Sequence, residues 1–174
     1  MLAQHYPVFL ASIGNDLDFS FANQASKVFK RKVGWKIQLI LTVLKYGYKV
    51  LYVDSDVIML KDPFSLLLSY KGYDIISQRD LQMICTGFFF IVSNNRTIRL
   101  MEYAKELIQQ HDYDDQTAVN EATNVLNASF LLLPPQAFPS GSDFFRKYQY
   151  YWDRKGNTVW HCITYRQFRF HFPQ

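Results

Sequence analysis

The sequence predicts an α/β layered domain. Short runs rich in β-branched and aromatic residues alternate with longer segments whose apolar residues recur at helical spacing. The run Val50-Leu51-Tyr52-Val53 leads straight into Asp54-Ser55-Asp56, so two carboxylates stand one residue apart at a strand end. At 174 residues the chain is long enough for one domain with a true core.

The elements follow in chain order. Residues 6–13 read as a strand ending at Gly14-Asn15-Asp16, and the segment to about Lys32 carries no clear period. Residues 35–46 place Trp35, Leu39, Ile40, Val43 and Leu44 on one helical face, and Gly47 is the natural stop. A strand follows over residues 49–54. Asp62 then fits an N-cap and Pro63 a first helical residue, so a short helix is expected over 64–68, broken at Gly72. Residues 73–78 and 85–93 read as strands; the second is apolar on both faces and is expected at the sheet centre. Residues 96–110 form a helix by the spacing of Ile98, Leu100, Met101, Ala104, Leu107 and Ile108. Asp114-Asp115-Gln116 starts another helix, to about Leu126, and a strand over 129–133 ends at Pro134-Pro135. A last short strand is expected over 158–162.

Bulk properties narrow the function classes. The net charge is +4, and the basic residues are scattered apart from Lys27 to Lys32. That run is first a solvated loop and second an attraction for an anionic ligand such as a nucleotide diphosphate. It forms no stripe suited to DNA or RNA, so nucleic acid is not an expected partner. The longest aliphatic run, residues 37–44, is interrupted by Gln38 and Thr42 and is too short to span a bilayer. No signal peptide is legible, so no membrane segment is expected in this chain. Aromatic residues make up 17% of the chain, above the ordinary level, and most of them suit a core. The cluster between Phe144 and Trp152 can also stack on a sugar or peptide. Cys85 opens an apolar run and fits a small buried residue. A disulfide between Cys85 and Cys162 stays open and would imply an oxidising compartment. Two glycosylation sequons, Asn95-Arg96-Thr97 and Asn127-Ala128-Ser129, point weakly the same way.

Four places carry chemistry. Asp54 and Asp56 can hold a divalent cation that neutralises a departing diphosphate, since Mg²⁺ and Mn²⁺ take oxygen ligands and keep sites for phosphate. They can instead act as nucleophile and acid in a phosphatase of the haloacid dehalogenase type, or form a turn with two solvated acids. His161, beside Trp160, is either a satisfied structural residue or a third metal ligand. Asp114-Asp115-Gln116 suits a helix cap and dipole, yet one acid can also face the site. Gly87, in an apolar strand, leaves room for a close approach to the backbone.

Taken in order, Leu51-Tyr52-Val53-Asp54-Ser55-Asp56-Val57 with Lys61-Asp62-Pro63 resembles the D-x-D region of the nucleotide-diphospho-sugar transferases of GT-A fold. The nearest group holds plant and algal rhamnogalacturonan xylosyltransferases and extensin arabinosyltransferases. Asp74-Ile75-Ile76-Ser77-Gln78-Arg79-Asp80 resembles the strand after the D-x-D. Thr86-Gly87-Phe88-Phe89-Phe90 is similar to the family's N-x-G-F strand, with Cys85-Thr86 in place of asparagine. Asp115-Gln116 with Asn120 resembles its DQ…N segment, Phe138 to Phe144 with Gly141 its F…G…F stretch, and His161 its C-terminal histidine, although the usual H-x-N is here His161-Cys162-Ile163.

The resemblance covers roughly residues 33–165. It implies a GT-A-like (Rossmann-like) mixed, mostly parallel sheet flanked by helices, in a single transferase-like domain over 1–174. A base-binding strand normally lies well upstream of the D-x-D. With 53 residues before Asp54, a compact version and a chain lacking the first βα unit both stay open. The resemblance further implies a metal-dependent transferase that moves a sugar from a nucleotide-diphosphate sugar to a hydroxyl on a glycan or glycoprotein, with anomeric configuration retained. Mn²⁺ (or Mg²⁺) would be held by Asp54, Asp56 and His161. Lys36, Asp54, Ser55, Asp56, Gln78 and Gly87 would lie on the donor side, and Asp115 and Gln116 at the reacting sugar. It places the protein in the Golgi lumen if an anchor lies upstream. A non-catalytic binding module on the same fold is the alternative.

Overall fold

A computed structural model describes the backbone of residues 27–111, 113–140 and 162–164, with side chains from residue 34 to 140 apart from position 112. Helix α1 runs over Lys27–Lys45, followed by strands β1 (Val50–Val53) and β2 (Val57–Met59). Helix α2 (Phe64–Ser69), strands β3 (Ile75–Asp80) and β4 (Met83–Ile91), and helices α3 (Asn95–His111) and α4 (Asp115–Val125) come next. Strands β5 (Phe130–Leu132) and β6 (Cys162–Thr164) complete the described elements.

The expected α/β layering is present. The main sheet has the order β1-β4-β3-β5 among the described residues. Strand β4 runs antiparallel to both β1 and β3, and β3 pairs in parallel with β5. Three strands therefore share one direction, and β4 runs against them at the centre. Its alternating side chains show why. Phe89 and Ile91 join Ile75 and Ile84 under α1, α3 and α4, while Phe88 and Phe90 join Ile76, Leu67, Leu133 and Phe138 on the other face. A strand covered on both sides needs apolar residues at nearly every position.

Local signals set most boundaries. Gly47 ends α1 with φ +84, a left-handed value that glycine adopts without strain, and its N–H donates to Leu44 O. Pro63 has helical backbone angles and stands at the N-cap of α2, one residue later than the sequence signal placed the cap, while Asp62 Oδ1 accepts from the Phe64 N–H. Asp114 caps α4 through the Thr117 N–H. Residues 6–13 and 158–161 lie outside the described residues.

Two expectations change. The helix begins at Lys27, and its core face is Ile37, Ile40, Leu41 and Leu44. Trp35, Leu39 and Val43 are exposed, because both faces of α1 carry apolar residues and only the first set meets α3 and the sheet. Strand β2 is an element that the sequence reading does not expect. Its partner is β6, with Val57 opposite Thr164, a pairing too distant in sequence to leave a local mark. No described helix is long and apolar enough to cross a membrane.

Candidate functional site

The D-x-D triplet forms a turn at the end of β1. The Asp54 N–H extends the sheet ladder by donating to Gly87 O at 2.8 Å, and the Asp54 carbonyl accepts from the Val57 N–H at 3.1 Å. Asp54 thus ends the ladder with its carboxylate against Gly87, and the chain turns away from the sheet before Asp56. The turn reading and the ligand reading are compatible here, since the turn is what presents the carboxylates.

Gly87 is the floor under Asp54. A Cβ at position 87 would stand 2.8 Å from Asp54 Oδ2, closer than real Cβ contacts allow, and 3.5 Å from its carboxyl carbon. The sequence suggested a close approach to this glycine. The approaching group is Asp54 itself.

Lys36 joins three elements. Its Nζ donates to Asp115 Oδ2 at 2.6 Å, lies 3.4 Å from Asp54 Oδ1, and sits 4.2 Å from the centre of the Tyr52 ring. Its side chain is only 9% exposed. A lysine enters such a place only with acids to receive it. Asp115 is the first residue of α4, where the helix dipole favours a carboxylate, and it also accepts from Thr86 Oγ1 at 2.7 Å. The cap and the inward acid are therefore two different residues. Asp114 caps the helix, and Asp115 turns inward to Lys36 and Thr86.

The Gln116 amide donates to Asp80 Oδ2 at the end of β3. Asn120, one turn later, accepts from the Ile84 N–H and donates to Ile84 O, each at 2.9 Å. These bonds fix α4 against the β3–β4 turn and so fix where Asp115 stands. Gln78 differs from what the resemblance implies. It is fully buried, and its amide donates to the carbonyls of Phe138 and Pro139, so it secures the segment after β5. Ser55 is exposed at the tip of the turn. His161 and Gly141 lie outside the described residues.

Sequence reasoning did not single out Thr86, Tyr52 or Asp80 as site residues. Thr86 did leave a signal, as a hydroxyl within the apolar run of β4. A buried polar group needs a partner, and Asp115 is that partner.

The residues present suit a divalent cation in one specific respect. Asp56 Oδ1 is buried and has no hydrogen-bond partner among the described residues. A buried carboxylate oxygen left unsatisfied is costly, and a cation removes that cost. No group of three or more His, Cys, Asp or Glu among the described residues is arranged as a metal site. Two carboxylates suffice for Mg²⁺ or Mn²⁺ when a phosphate completes the shell.

Comparison with known proteins agrees with this architecture. A family model described as nucleotide-diphospho-sugar transferase matches residues 1–167. The UDP-D-xylose:L-fucose alpha-1,3-D-xylosyltransferase 3 of Arabidopsis thaliana is 30% identical over 150 residues, covering 70% of this chain and 39% of that protein. The UDP-galactose:fucoside alpha-3-galactosyltransferase of Dictyostelium discoideum is 28% identical over 137 residues, covering 62% of this chain and 21% of its own length. The chain therefore spans about a fifth to two fifths of the length of these relatives. Among solved structures, a glycosyltransferase involved in the glycosylation of the major capsid of PBCV-1 superposes with a TM-score of 0.59 at 14% identity. That match covers 87% of this chain and 77% of the other, and it shows a shared fold.

Proposed function

Because this chain belongs to the nucleotide-diphospho-sugar transferase family, we propose that it moves a sugar from a nucleotide-diphosphate sugar to a hydroxyl of a glycan or glycoprotein, with Mn²⁺ or Mg²⁺ and with retained configuration. The acceptor oxygen bonds to the anomeric carbon as the bond from that carbon to the diphosphate oxygen breaks. The acceptor proton passes to the departing phosphate oxygen, and a nucleoside diphosphate leaves.

The carrying observation is the buried Asp56 Oδ1 just beyond β1, which has no hydrogen-bond partner among the described residues. A divalent cation there supplies charge neutralisation for the diphosphate as it leaves. Asp56, with Asp54 beside it, would hold that cation, and His161 is the third ligand that the family resemblance implies. Ser55, at the exposed tip, offers a hydroxyl to the donor. Asp115 and Gln116 would stand beside the reacting sugar, held by Lys36, Thr86 and Asp80. Gln78 acts on the donor side through the 138–139 backbone that it anchors. The domain would work in the Golgi lumen.

Family membership sets aside the phosphatase reading of Asp54 and Asp56. It does not by itself separate an active transferase from a binding module on the same fold. The test is thermal unfolding with UDP-xylose and UDP-galactose, the donors named for the relatives, with and without Mn²⁺. A donor at about 100 times its dissociation constant stabilises by about 2.7 kcal/mol. The shift is expected only with Mn²⁺ and is lost in Asp56→Ala. Donor binding that ignores both the metal and Asp56 would sink the metal reading, and binding without sugar transfer would favour the binding module.

A further inference from the structure

We propose that Lys36 is a positioning residue that holds down the affinity of the D-x-D turn for a bare divalent cation, so that the ion binds well only together with a diphosphate. This rests on the metal-dependent reading above. Lys36 grips its two acids unequally, at 2.6 Å to Asp115 and 3.4 Å to Asp54. The tight contact anchors the ammonium. The looser one keeps a positive charge against one of the two carboxylates that would meet the ion.

Among the described residues, the charges gathered here are Asp54, Asp56 and Asp115 against Lys36. They sum to −2, the charge that one divalent ion would neutralise. An ion approaching Asp54 is repelled by Lys36 at short range, in a place where water screens poorly because Lys36 is nearly buried. Asp56 Oδ1 has no such competitor among the described residues. The ion therefore meets one open carboxylate oxygen at Asp56 and one oxygen already shared with an ammonium at Asp54. Diphosphate oxygens would supply the further ligands that the ion's shell needs, which couples the ion's binding to the donor's.

This role predicts a direction that a structural role does not. Removing a packing or tethering residue should weaken metal binding. Removing a competing charge should strengthen it. Titration of Mn²⁺ into the purified protein without nucleotide is expected to show a dissociation constant about tenfold lower in Lys36→Met than in the wild type, as expected for losing one nearby positive charge. Lys36→Arg, which keeps the charge, should stay within about twofold of the wild type. The gain in Mn²⁺ affinity caused by UDP should be smaller in Lys36→Met. Circular dichroism verifies folding, and Lys36→Gln, whose amide can still donate to Asp115, takes the place of the Met variant if that one unfolds.

A third pair is independent of any Lys36 variant. Asp56→Asn should lose far more Mn²⁺ affinity than Asp54→Asn, whose carboxylate is already shared with the lysine. A folded Lys36→Met (or Lys36→Gln) protein with unchanged or weaker Mn²⁺ binding overturns the inference alone, as do equal losses at Asp54 and Asp56. A wild-type protein that takes up no Mn²⁺ at millimolar concentration, with or without UDP, overturns both the inference and the metal-dependent reading.

Discussion

Asp54 Oδ2 occupies the space that a side chain at position 87 would need, 2.8 Å from where a Cβ would sit. The obstructing atom is the tip of a short side chain rather than backbone, so an added methyl moves the carboxylate instead of breaking the sheet. Gly87→Ala is therefore expected to keep its fold and lose function. A displacement of about 1 Å in a reacting group can cost about 100-fold in rate. Transfer kinetics paired with thermal unfolding check this, and a Gly87→Ala protein that is unstable as well as inactive would contradict it.

At the opposite end of the sheet, Asp74 ties the turn before β3 to the starts of α3 and β5. It accepts from Asn94 Nδ2, Arg96 and both the N–H and hydroxyl of Ser129. Burial pushes its carboxyl up, but the Ser129 N–H and the other donors outweigh that and hold it below the ordinary carboxylate value. A depressed folded-state value gives stability that is fully present above the unfolded pKa of about 3.9 and is lost as pH falls through the lower folded value. Unfolding free energy should thus drop on acidification below about pH 4, and Asp74→Asn should flatten part of that slope. The variant should also lose about 2 kcal/mol at neutral pH. Urea unfolding across pH 3 to 7 measures both. Sugar transfer at neutral pH should be unaffected, since none of these contacts reaches the D-x-D turn.

Leu81 sits in the two-residue turn between β3 and β4 with φ +54, in the left-handed region, and is almost fully exposed. Tight hairpins of this kind favour Asn or Gly, and a leucine there carries strain. Leu81→Asn should raise stability by about 1 kcal/mol. A chemical denaturation curve with unchanged slope and a higher midpoint is the expected result; a lower midpoint would mean that Leu81 makes a contact worth more than its strain.

Asn120 satisfies both backbone groups of Ile84 from one side chain. Asn120→Ala leaves a partly buried N–H and C=O without those partners, at a cost of about 2 kcal/mol. Because the same bonds fix α4, activity should fall further than stability alone explains. The comparison to make is kcat against unfolding midpoint for this variant and for Leu81→Asn, which touches the same turn from outside.

Much of this architecture was legible because its signals are local. The Asp114 cap, the Gly47 stop, the Asp62-Pro63 start and the two-faced apolar run of β4 each act within a few residues. The register of α1 was not legible. Lys36 carries no local mark of burial, and only the family resemblance put it on the donor side, while the exposed Trp35, Leu39 and Val43 mimic a core stripe. Asp54 and Asp56 stood out in the sequence by position alone. That Asp54 would be the group lying over Gly87, and that Gln78 would secure a distant backbone segment, depend on contacts between strands and loops that no local pattern encodes.

The Lys36–Asp115 pair closes a span of 79 residues. Hairpin β3–β4 can form early, since its strands adjoin, whereas this ion pair must wait for α4 to be made and docked. During synthesis Lys36 and the D-x-D turn therefore both emerge well before Asp115, the acid that anchors the lysine. An early chain holds the D-x-D acids and their lysine without the anchor that fixes them, so the finished cluster marks a chain whose α4 has docked.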